Sequence, residues 1–277
     1  MANETVLVTG ATGLLGNNVA RLLLARGAAV RVLIRNGSDR RSVDGLDVEI
    51  ANGDICDPAS VREACEGTRA IVHAAAYVQI GRSQLALHRQ TNVAGTRSLA
   101  RAARDAGARL VHVSSVDALG LGSEEDPADE ETPLSKPASC AYVISKREAE
   151  QVVLEEVNQG LDAVIVNPGF MLGPWDWKPS SGRMLLEVAH GRGWFAPQGN
   201  CSVCDVRDVA AGIIAAMERG LTRRQYILAG ENLTYLQAWR LFAEVSDARR
   251  PIGAVGPWIL RGAGLVGDVW GLLGREP

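Results

Sequence analysis

A tyrosine and a lysine four positions apart, Tyr142 and Lys146, are the residues of this chain best suited to acid–base chemistry. On a helix, residues with this spacing share one face, so the phenol and the ammonium are expected to point into the same space. At about 5 Å and an effective dielectric constant near 20, the cation should favour the phenolate by roughly 3 kcal/mol, which lowers the tyrosine pKa by about two. The pair therefore predicts a group that exchanges a proton with a substrate oxygen near neutral pH.

A serine hydroxyl is expected near this pair. Ser114 and Ser115 directly follow Leu110 to Val113, an apolar run typical of a β-strand. In parallel α/β sheets, ligands bind at the carboxyl ends of the strands, where such a hydroxyl can hydrogen-bond a substrate carbonyl or alcohol. Capping of a turn is the alternative role for a serine at a strand end.

The element that would position a cofactor lies at the start of the chain. The apolar run Val6 to Val8 leads into Gly10, Gly13 and Gly16 and opens directly into a helical pattern, Leu14 to Arg26. Such glycines allow a tight turn, close approach of the backbone to phosphate, and packing of the helix on the sheet. The helix N-terminus adds free N–H groups and a positive dipole end. This segment predicts a site for the pyrophosphate of a dinucleotide.

Strand-like runs alternate with helix-like segments, which predicts an α/β Rossmann fold: a doubly wound parallel sheet covered by helices on both faces. The six candidate strands are Val6 to Val8, Val30 to Ile34, Val48 to Ala51, Ala70 to His73, Leu110 to Val113 and Ala163 to Val166. We expect a dinucleotide-binding domain over residues 1–166 that includes the candidate catalytic residues. Residues 167–277 should form mainly a small C-terminal substrate-binding region, with segments near 201–230 returning to the Rossmann core.

Composition and net charge indicate that the partners of this protein are small molecules. The chain is 47% hydrophobic and 22% charged, and its net charge of −3 gives no electrostatic reason to expect nucleic acid as a partner. The first strand begins too early for a signal peptide, so we expect a cytoplasmic protein with five free thiols and no metal site. The apolar tail from Ile252 to Leu273 is interrupted by charges, which argues against a transmembrane span and favours a packed helix.

Taken together, these motifs resemble the extended short-chain dehydrogenase/reductase family, also called the NAD(P)-dependent epimerase/dehydratase family. The similarity follows family order over about the first 230 residues. The matching stretches are Thr9 to Gly16, Gly53 to Ile55, His73 to Ala76, Asn92 to Thr96, Val113 to Ser115, Tyr142 to Lys146, Asn167 to Gly169 and Asp205 to Val209.

The resemblance implies a role for each matching residue. Tyr142 would be the catalytic acid and base, Lys146 would lower its pKa and bind a ribose, and Ser115 would polarise the reacting oxygen. Ser115 is chosen over Ser114 because its distance before Gly120 matches the family. The implied cofactor-binding residues are Gly10, Thr12, Gly13, Leu14, Leu15, Gly16, Arg35, Asp54, Ile55, Ala74, Ala75, Ala76, Asn92, Tyr142, Lys146, Pro168 and Gly169.

For three groups of these residues, the resemblance also implies which part of the cofactor they would contact. Asp54 and Ile55 would flank the adenine, Ala74 to Ala76 would lie beside the ribose and diphosphate, and Pro168 and Gly169 would lie against the nicotinamide. Asn92 would lie near the cofactor, with a helix-start role as the alternative. Asp208 is expected to cap a helix from Val209 to Arg219.

The choice of nicotinamide cofactor depends on the end of the second strand. An acidic residue there would bind a free ribose 2′-hydroxyl, but this chain has Arg35. A guanidinium can bind a 2′-phosphate through paired hydrogen bonds, with Asn36, Ser38, Arg40 and Arg41 available to assist. NADP(H) is therefore favoured over NAD(H), and a solvated basic turn is the alternative.

Within the family, the chain looks similar to members like dihydroflavonol reductases and hopanoid-associated sugar epimerases. The first reading predicts hydride transfer to or from a carbonyl or secondary alcohol of a small, partly apolar substrate. The alternatives are an NAD-dependent nucleotide-sugar epimerase and a non-catalytic NADP(H)-binding regulatory protein. Asp117 lies where sugar dehydratases carry an acid, but Val116 replaces their second acid, which argues against dehydration. A homodimer would be usual for the family.

Overall fold

The computed structural model describes residues 5–79, 84–123, 125–134, 140–179 and 181–256. The chain divides into two compact units. The first comprises residues 1–178 and 204–229, and the second comprises residues 179–203 and 230–277. The division of 1–166 and 167–277 into cofactor-binding and substrate-binding functions remains a prediction.

The first unit is built on a seven-stranded parallel sheet of order β10-β6-β5-β4-β1-β2-β3. Its strands are β1 Val6–Thr9, β2 Val30–Ile34, β3 Glu49–Asn52, β4 Ala70–His73, β5 Arg109–Val113, β6 Ala163–Pro168 and β10 Gln225–Leu228, and a short strand β7, Phe170–Leu172, follows β6. Its helices are α1 Leu14–Ala25, α2 Pro58–Cys65, α3 Leu85–His88, α4 Gly95–Asp105, α5 Ala141–Val157 and α7 Val206–Arg219. A π-helical segment, Arg89–Ala94, joins α3 to α4, and a 3-10 turn, Val116–Ala118, follows β5.

Alternating side chains bury both faces of this sheet. One face, which includes Val8 and Val111, packs with residues of α1 and α7, whereas the other, which includes Leu7 and Leu110, packs with residues of α2, α4 and α5. A sheet covered on both sides needs apolar residues at nearly every strand position, which explains the continuous apolar runs. The predicted Rossmann α/β fold is confirmed.

All six predicted strands are present, whereas the seventh, β10, was not among the six candidate strands. Its sequence, Gln-Tyr-Ile-Leu, is only four residues long, and all four are half-buried because the strand lies at the sheet edge. The main-chain N–H of Ile227 on this edge donates to the Glu130 carboxylate at 2.7 Å. An acidic loop residue thus satisfies part of the exposed edge, a common protection against unwanted strand pairing.

The predicted helix cap at Asp208 is wrong. Helix α7 begins at Val206, three residues earlier than expected, and the side chain of Asp205 accepts from the main-chain N–H of Arg207 at 2.8 Å. Asp208 therefore lies in the first turn. An acidic side chain is favourable there as well, because it complements the positive end of the helix.

The second unit holds helices α6, Ser181–Ala189, and α8, Tyr235–Val245, which pack together. Within it, β8 Phe195–Pro197 pairs in parallel with β12 Gly253–Val255. Residues 200–203 of β9, Asn200–Asp205, pair with antiparallel β11, Glu231–Thr234. A capping box of Thr234 and Gln237 starts α8.

The predicted packed helix from Ile252 to Leu273 is contradicted at its start, where Gly253–Val255 form strand β12, and its residues 257–273 lie outside the described part of the chain. Among the residues that are described, no helix has both the length and the apolar composition needed to span a membrane. None of the five cysteines forms a disulfide bond. Among the same residues, no group of His, Cys, Asp and Glu is arranged to hold a metal ion.

Candidate functional site

The glycine turn after β1 is shaped by close backbone contacts. Gly10 has a φ of +76°, and a Cβ there would lie 2.7 Å from the main chain of Ala74 and Ala75. A Cβ on Gly16 would lie 2.4 Å from the carbonyl oxygen of Gly10. Such distances leave no room for a side chain, so both glycines are required by the fold itself.

Gly13 differs from these two glycines. Its φ is −102°, and a Cβ would meet only the Gly10 carbonyl oxygen at 3.5 Å, an ordinary contact distance. Gly13 precedes α1, has no side chain with which to cap it, and is followed by a first turn without acidic residues. A bare backbone at an uncapped helix start fits an anionic group such as a dinucleotide pyrophosphate. Thr12 and Leu14 are half-buried at this turn, whereas Leu15 is buried in the core.

A chain of hydrogen bonds through His73 fixes the neighbouring turn at Ala74 to Ala76. The Thr96 hydroxyl donates to the Asn92 carbonyl at 2.5 Å, so its oxygen accepts from His73 Nε2 at 3.0 Å. His73 Nδ1 then accepts from the Thr9 hydroxyl at 2.8 Å, and Thr9 Oγ1 accepts from the Ala75 N–H at 3.2 Å. Burial, followed by the charge of Lys146, lowers the pKa of His73 to about 3, which keeps the ring neutral. This chain joins the ends of β1 and β4 beside the glycine turn.

Ser115 and Tyr142 come together at the carboxyl end of β5. The Ser115 hydroxyl lies near enough to the phenol to favour its ionised form and so to lower the pKa of Tyr142, although burial has the larger, opposite effect. The Ser115 hydroxyl also donates to the Asp117 carboxylate at 3.3 Å and accepts from the Asp117 N–H at 3.3 Å, so it also caps the 3-10 turn. Both roles considered for this serine, capping and placement beside the tyrosine, are thus present.

Lys146 lies beside Tyr142 but does not act on its pKa as predicted. Lys146 is 5% exposed, and its ammonium lies 5.8 Å from the centre of the phenol ring and donates to the Val113 carbonyl at 2.8 Å. Burial, and next the Asp117 carboxylate, raise the pKa of Tyr142 above its usual value. The predicted lowering is wrong because desolvation of the phenolate outweighs a cation whose nearest partner is a main-chain carbonyl. Tyr142 is therefore protonated at neutral pH.

Glu150, one helical turn beyond Lys146, provides its countercharge. The carboxylate is 6% exposed and accepts from Asn167 Nδ2 at 2.9 Å, and the same amide nitrogen donates to the Ser115 carbonyl at 3.0 Å. Burial raises the pKa of Glu150, while Glu150 in turn favours the charged form of Lys146. The amide of Asn167 therefore links the countercharge on α5 to the main chain of the candidate catalytic serine.

Asn92 holds α5 against the loop after β4. Its amide oxygen accepts from the Tyr77 N–H at 2.7 Å, and its amide nitrogen donates to the Tyr77 carbonyl at 3.0 Å and to Ser145 Oγ at 2.9 Å. Asn92 lies inside the π-helical segment rather than at a helix start. With its polar atoms engaged by the protein, it is better placed to position Tyr142 through α5 than to bind a cofactor directly; its cofactor-binding role stays a prediction.

The carboxyl ends of β2 and β3 border a polar cavity of about 710 Å³. Its lining residues are Arg35, Asn36, Gly37, Ser38, Asp39, Asn52, Gly53, Asp54, Asp57, Ser60 and Lys178. Asp54, predicted to lie at the adenine, accepts from the Cys56 N–H at 2.9 Å. Ile55 is buried in the core, so only its main chain is available for the predicted contact.

The arginines predicted near this cavity have different partners. Arg41 forms an ion pair with Asp39 at 2.6 Å, and Arg40 donates to Asn52. Arg35 has no ion-pair partner within 4 Å among the residues that the structure describes. The Arg41 guanidinium holds the pKa of Asp39 low, and Asp39 is neutralised by this pair. Of these three arginines, Arg35 is therefore the one whose guanidinium has no side-chain partner among the described residues.

The remaining predicted residues lie at the end of β6. Pro168 is the last residue of this strand, and the Gly169 N–H donates to the Leu228 carbonyl of β10 at 3.0 Å. Three residues important for this arrangement were not assigned roles from sequence: His73, Glu150 and Asn167. The spacing of Lys146 and Glu150 on one helix face was the available signal for Glu150.

The lowered pKa of Lys146 predicts an unusual dependence of stability on pH. Burial lowers this pKa from 10.5 to about 8, so the folded state releases a proton that the unfolded chain keeps between these values. We expect the wild-type protein to gain stability relative to Lys146→Met, by up to about 3 kcal/mol, as the pH rises from about 8 to about 10.5. Urea unfolding of both proteins at pH 7, 8.5 and 10 measures this gain. A stability difference that is constant with pH would contradict the buried, perturbed ammonium.

Comparison with known proteins identifies the family. The model of the NAD dependent epimerase/dehydratase family matches residues 6–229. Sterol demethylase protein B of Methylococcus capsulatus is 40% identical over 266 residues, which cover 95% of this chain and 81% of that protein. A putative dihydroflavonol 4-reductase of Synechocystis is 35% identical over 283 residues, covering 99% of this chain and 82% of that protein. The crystal structure of gox2253 is 37% identical, covers 99% of this chain and 85% of its own, and superposes with a TM-score of 0.86.

These matches extend over the glycine turn, the sheet and the helix that carries Tyr142 and Lys146. They confirm the resemblance that the sequence motifs indicated. The chain belongs to the NAD-dependent epimerase/dehydratase family and is an enzyme of the extended short-chain dehydrogenase/reductase type, which uses a nicotinamide cofactor to act on small molecules.

Proposed function

We propose that this enzyme is an NADP(H)-dependent reductase that transfers hydride to the carbonyl carbon of a small, partly apolar substrate. In this proposal Ser115, Tyr142 and Lys146 are the catalytic residues. The observation that carries it is the protonated, half-buried phenol of Tyr142 beside the Ser115 hydroxyl at the carboxyl end of β5. A phenol with a raised pKa is a proton donor, as reduction of a carbonyl requires.

Ser115, Tyr142 and Lys146 have different roles in the proposed reaction. A carbonyl oxygen bound at the junction of the two hydroxyls accepts a hydrogen bond from Ser115, whose one proton turns to it from the Asp117 carboxylate and favours the developing negative charge. Tyr142 gives its proton to that oxygen. Lys146, supported by Glu150, supplies a buried positive charge that stabilises the phenolate left behind. The nicotinamide cofactor supplies the hydride when bound.

The cofactor-binding assignments form part of this proposal. The bare backbone at Gly13 and the uncapped start of α1 fit a pyrophosphate, and Arg35 at the polar cavity fits a 2′-phosphate. Residues 1–166 would hold the cofactor, while residues 167–277 would mainly form the substrate side. Pro168 and Gly169 would then lie where the two meet along the chain.

The substrate class is supported by composition and by relatives. The segment after β7 contributes Trp175 and Trp177, both more than two-fifths exposed, which suits an apolar or aromatic substrate better than a nucleotide diphosphate. The Synechocystis relative is named a putative dihydroflavonol 4-reductase, which favours a reductase. The second candidate is an NAD-dependent sugar epimerase, which the family name includes and which would retain its cofactor between turnovers.

Cofactor titration distinguishes the two candidates. Calorimetry of cofactor-stripped protein should show reversible binding with preference for NADPH over NADH, and Arg35→Gln should weaken NADPH binding by about thirtyfold while changing NADH binding little. Arg219→Gln, which removes an exposed arginine at the end of α7, is the matched control. Tightly retained NAD in the purified protein, with no preference for NADPH, would instead establish the epimerase reading.

A further inference from the structure

We propose that Lys178 is a second cation for the cofactor 2′-phosphate, held at the cavity by a segment that is fastened to the cofactor-binding helix. We call residues 173–178, between β7 and α6, the strap. This inference rests on the proposed preference for NADP(H). It adds a specificity residue that lies more than 140 positions from Arg35 in the sequence.

The strap is attached to α1 at two successive residues. Asn18, only 6% exposed, donates from Nδ2 to the Pro174 carbonyl at 2.9 Å and to the Leu14 carbonyl at 2.8 Å. The guanidinium of Arg21 lies 3.6 Å from the centre of the Trp175 ring, which is a cation–π contact. The side chain that binds Pro174 thus also bonds the first residue of the helix that is proposed to face the pyrophosphate.

Arg21 is itself held in place. Its Nε donates to Asn17 Oδ1 at 2.8 Å, and the fully buried Asn17 donates to the main-chain carbonyls of Ala11 and Ser42. Ala11 belongs to the glycine turn, and Ser42 belongs to the loop after β2. The Arg21 guanidinium that contacts Trp175 is therefore held, through Asn17, by the same loops that border the proposed cofactor site.

The backbone of the strap follows a path that few residues adopt without support. Gly173 has a φ of +151°, and a Cβ there would lie 2.6 Å from Val206 Cγ1. Trp175 has a φ of +71°, a left-handed conformation that costs a non-glycine residue about 1 kcal/mol or more. Such a conformation persists where surrounding contacts fix it, which here are those made by Asn18 and Arg21.

This path brings Lys178 to the cavity that Arg35 also lines. The charge of Lys178 contributes to the lowered pKa of Asp39, after the larger effect of Arg41. Neither Lys178 nor Arg35 has an ion-pair partner within 4 Å in the described parts of the chain. Two cations from distant segments therefore face one polar cavity without a committed countercharge.

Of the three carboxylates that line the cavity, Asp39 has a cationic partner, whereas Asp54 and Asp57 keep their negative charge and accept from main-chain N–H groups. Asp39 is paired with Arg41, Asp54 accepts from the Cys56 N–H, and Asp57 caps α2 through the N–H groups of Ala59 and Ser60. A dianionic phosphate complements two free cations, whereas an uncharged ribose hydroxyl does not. The geometry therefore favours a 2′-phosphorylated ribose over an unmodified one.

The test measures dissociation constants by calorimetry for NADP, NAD, 2′,5′-ADP and 5′-AMP. Lys178→Ala should weaken binding of NADP and 2′,5′-ADP about fivefold and should change binding of NAD and 5′-AMP by less than about twofold. The control is Arg219→Ala, which removes an exposed cation outside the cavity. Trp175→Ala should reproduce most of the loss, and the double variant should lose no more than the larger single loss, because the strap acts through Lys178.

The outcomes separate the two proposals. A wild-type protein with no preference for NADP over NAD would overturn the proposed cofactor and this inference with it. A wild-type preference that Lys178→Ala leaves intact would overturn this inference alone. Equal losses for NADP and NAD in Lys178→Ala would also overturn it, since the contact would then lie elsewhere on the dinucleotide. Additive losses in the double variant would overturn the role of the strap.

Discussion

Replacing Tyr142 with phenylalanine should lower the turnover number by at least about a hundredfold and leave the affinity for cofactor nearly unchanged. The substitution removes only the hydroxyl that donates the proton, while the ring keeps its edge contact with His88 of α3. Steady-state rates with a panel of ketones and aldehydes, followed by NADPH consumption, measure the first effect. Calorimetric titration with NADPH measures the second.

Tyr226→Phe is the matched control for this experiment. The Tyr226 hydroxyl accepts from the Leu221 N–H beside β10, so its loss removes one surface hydrogen bond and no proposed catalytic group. Its turnover should remain within about twofold of wild type. Equal activity in Tyr142→Phe and wild type would remove the proposed proton-transfer mechanism. A parallel loss of turnover in Tyr226→Phe would indicate damage to the fold.

The second large effect should distinguish Gly13, whose replacement should weaken cofactor binding, from Gly16, whose replacement should destabilise the fold. Gly13→Ala should retain wild-type stability, because its new Cβ meets one oxygen at 3.5 Å, but should lose at least about tenfold in cofactor affinity by blocking approach to the pyrophosphate. Gly16→Ala should instead lower the free energy of unfolding by about 3 kcal/mol, because its Cβ lies 2.4 Å from the Gly10 carbonyl oxygen. Backbone atoms cannot yield as a flexible side chain can.

Urea unfolding and NADPH titration of both variants test this contrast. The proposed role of Gly13 fails if Gly13→Ala binds cofactor as tightly as wild type. A large loss of stability in Gly13→Ala would mean that its glycine is required by the fold, as that of Gly16 is. A Gly16→Ala variant with full stability would contradict the close contact with Gly10.

Much of the fold follows from local sequence patterns. The apolar runs of β1 and β2 are continuous because both faces of a parallel sheet are covered, and the three glycines mark the turn that such a sheet needs before its first helix. The pattern fails at β10 and at the start of α7. The half-buried edge strand lacks a continuous apolar run, and Asp205 and Asp208 are both plausible caps until the helix start is known.

The motif residues of the candidate site were also identifiable, because Ser115, Tyr142 and Lys146 stand at spacings that the family shares. The electrostatic environment of these residues could not be identified from the sequence. Helical spacing places Lys146 near Tyr142, but only the folded structure shows the ammonium donating to the Val113 carbonyl and the phenol desolvated beside Asp117. Burial thereby reverses the predicted direction of the Tyr142 pKa.

The sequence by itself determined the sheet, the glycine turn and the catalytic residue types, since these depend on periodicity and short spacing. Tertiary structure decided which groups are neutral, which cations are uncommitted, and that a strap joined to α1 through Asn18 and Pro174, 156 positions apart, delivers Lys178 to the cavity of Arg35. Desolvation and contacts between distant segments set these properties, and neither can be read from the order of the residues alone.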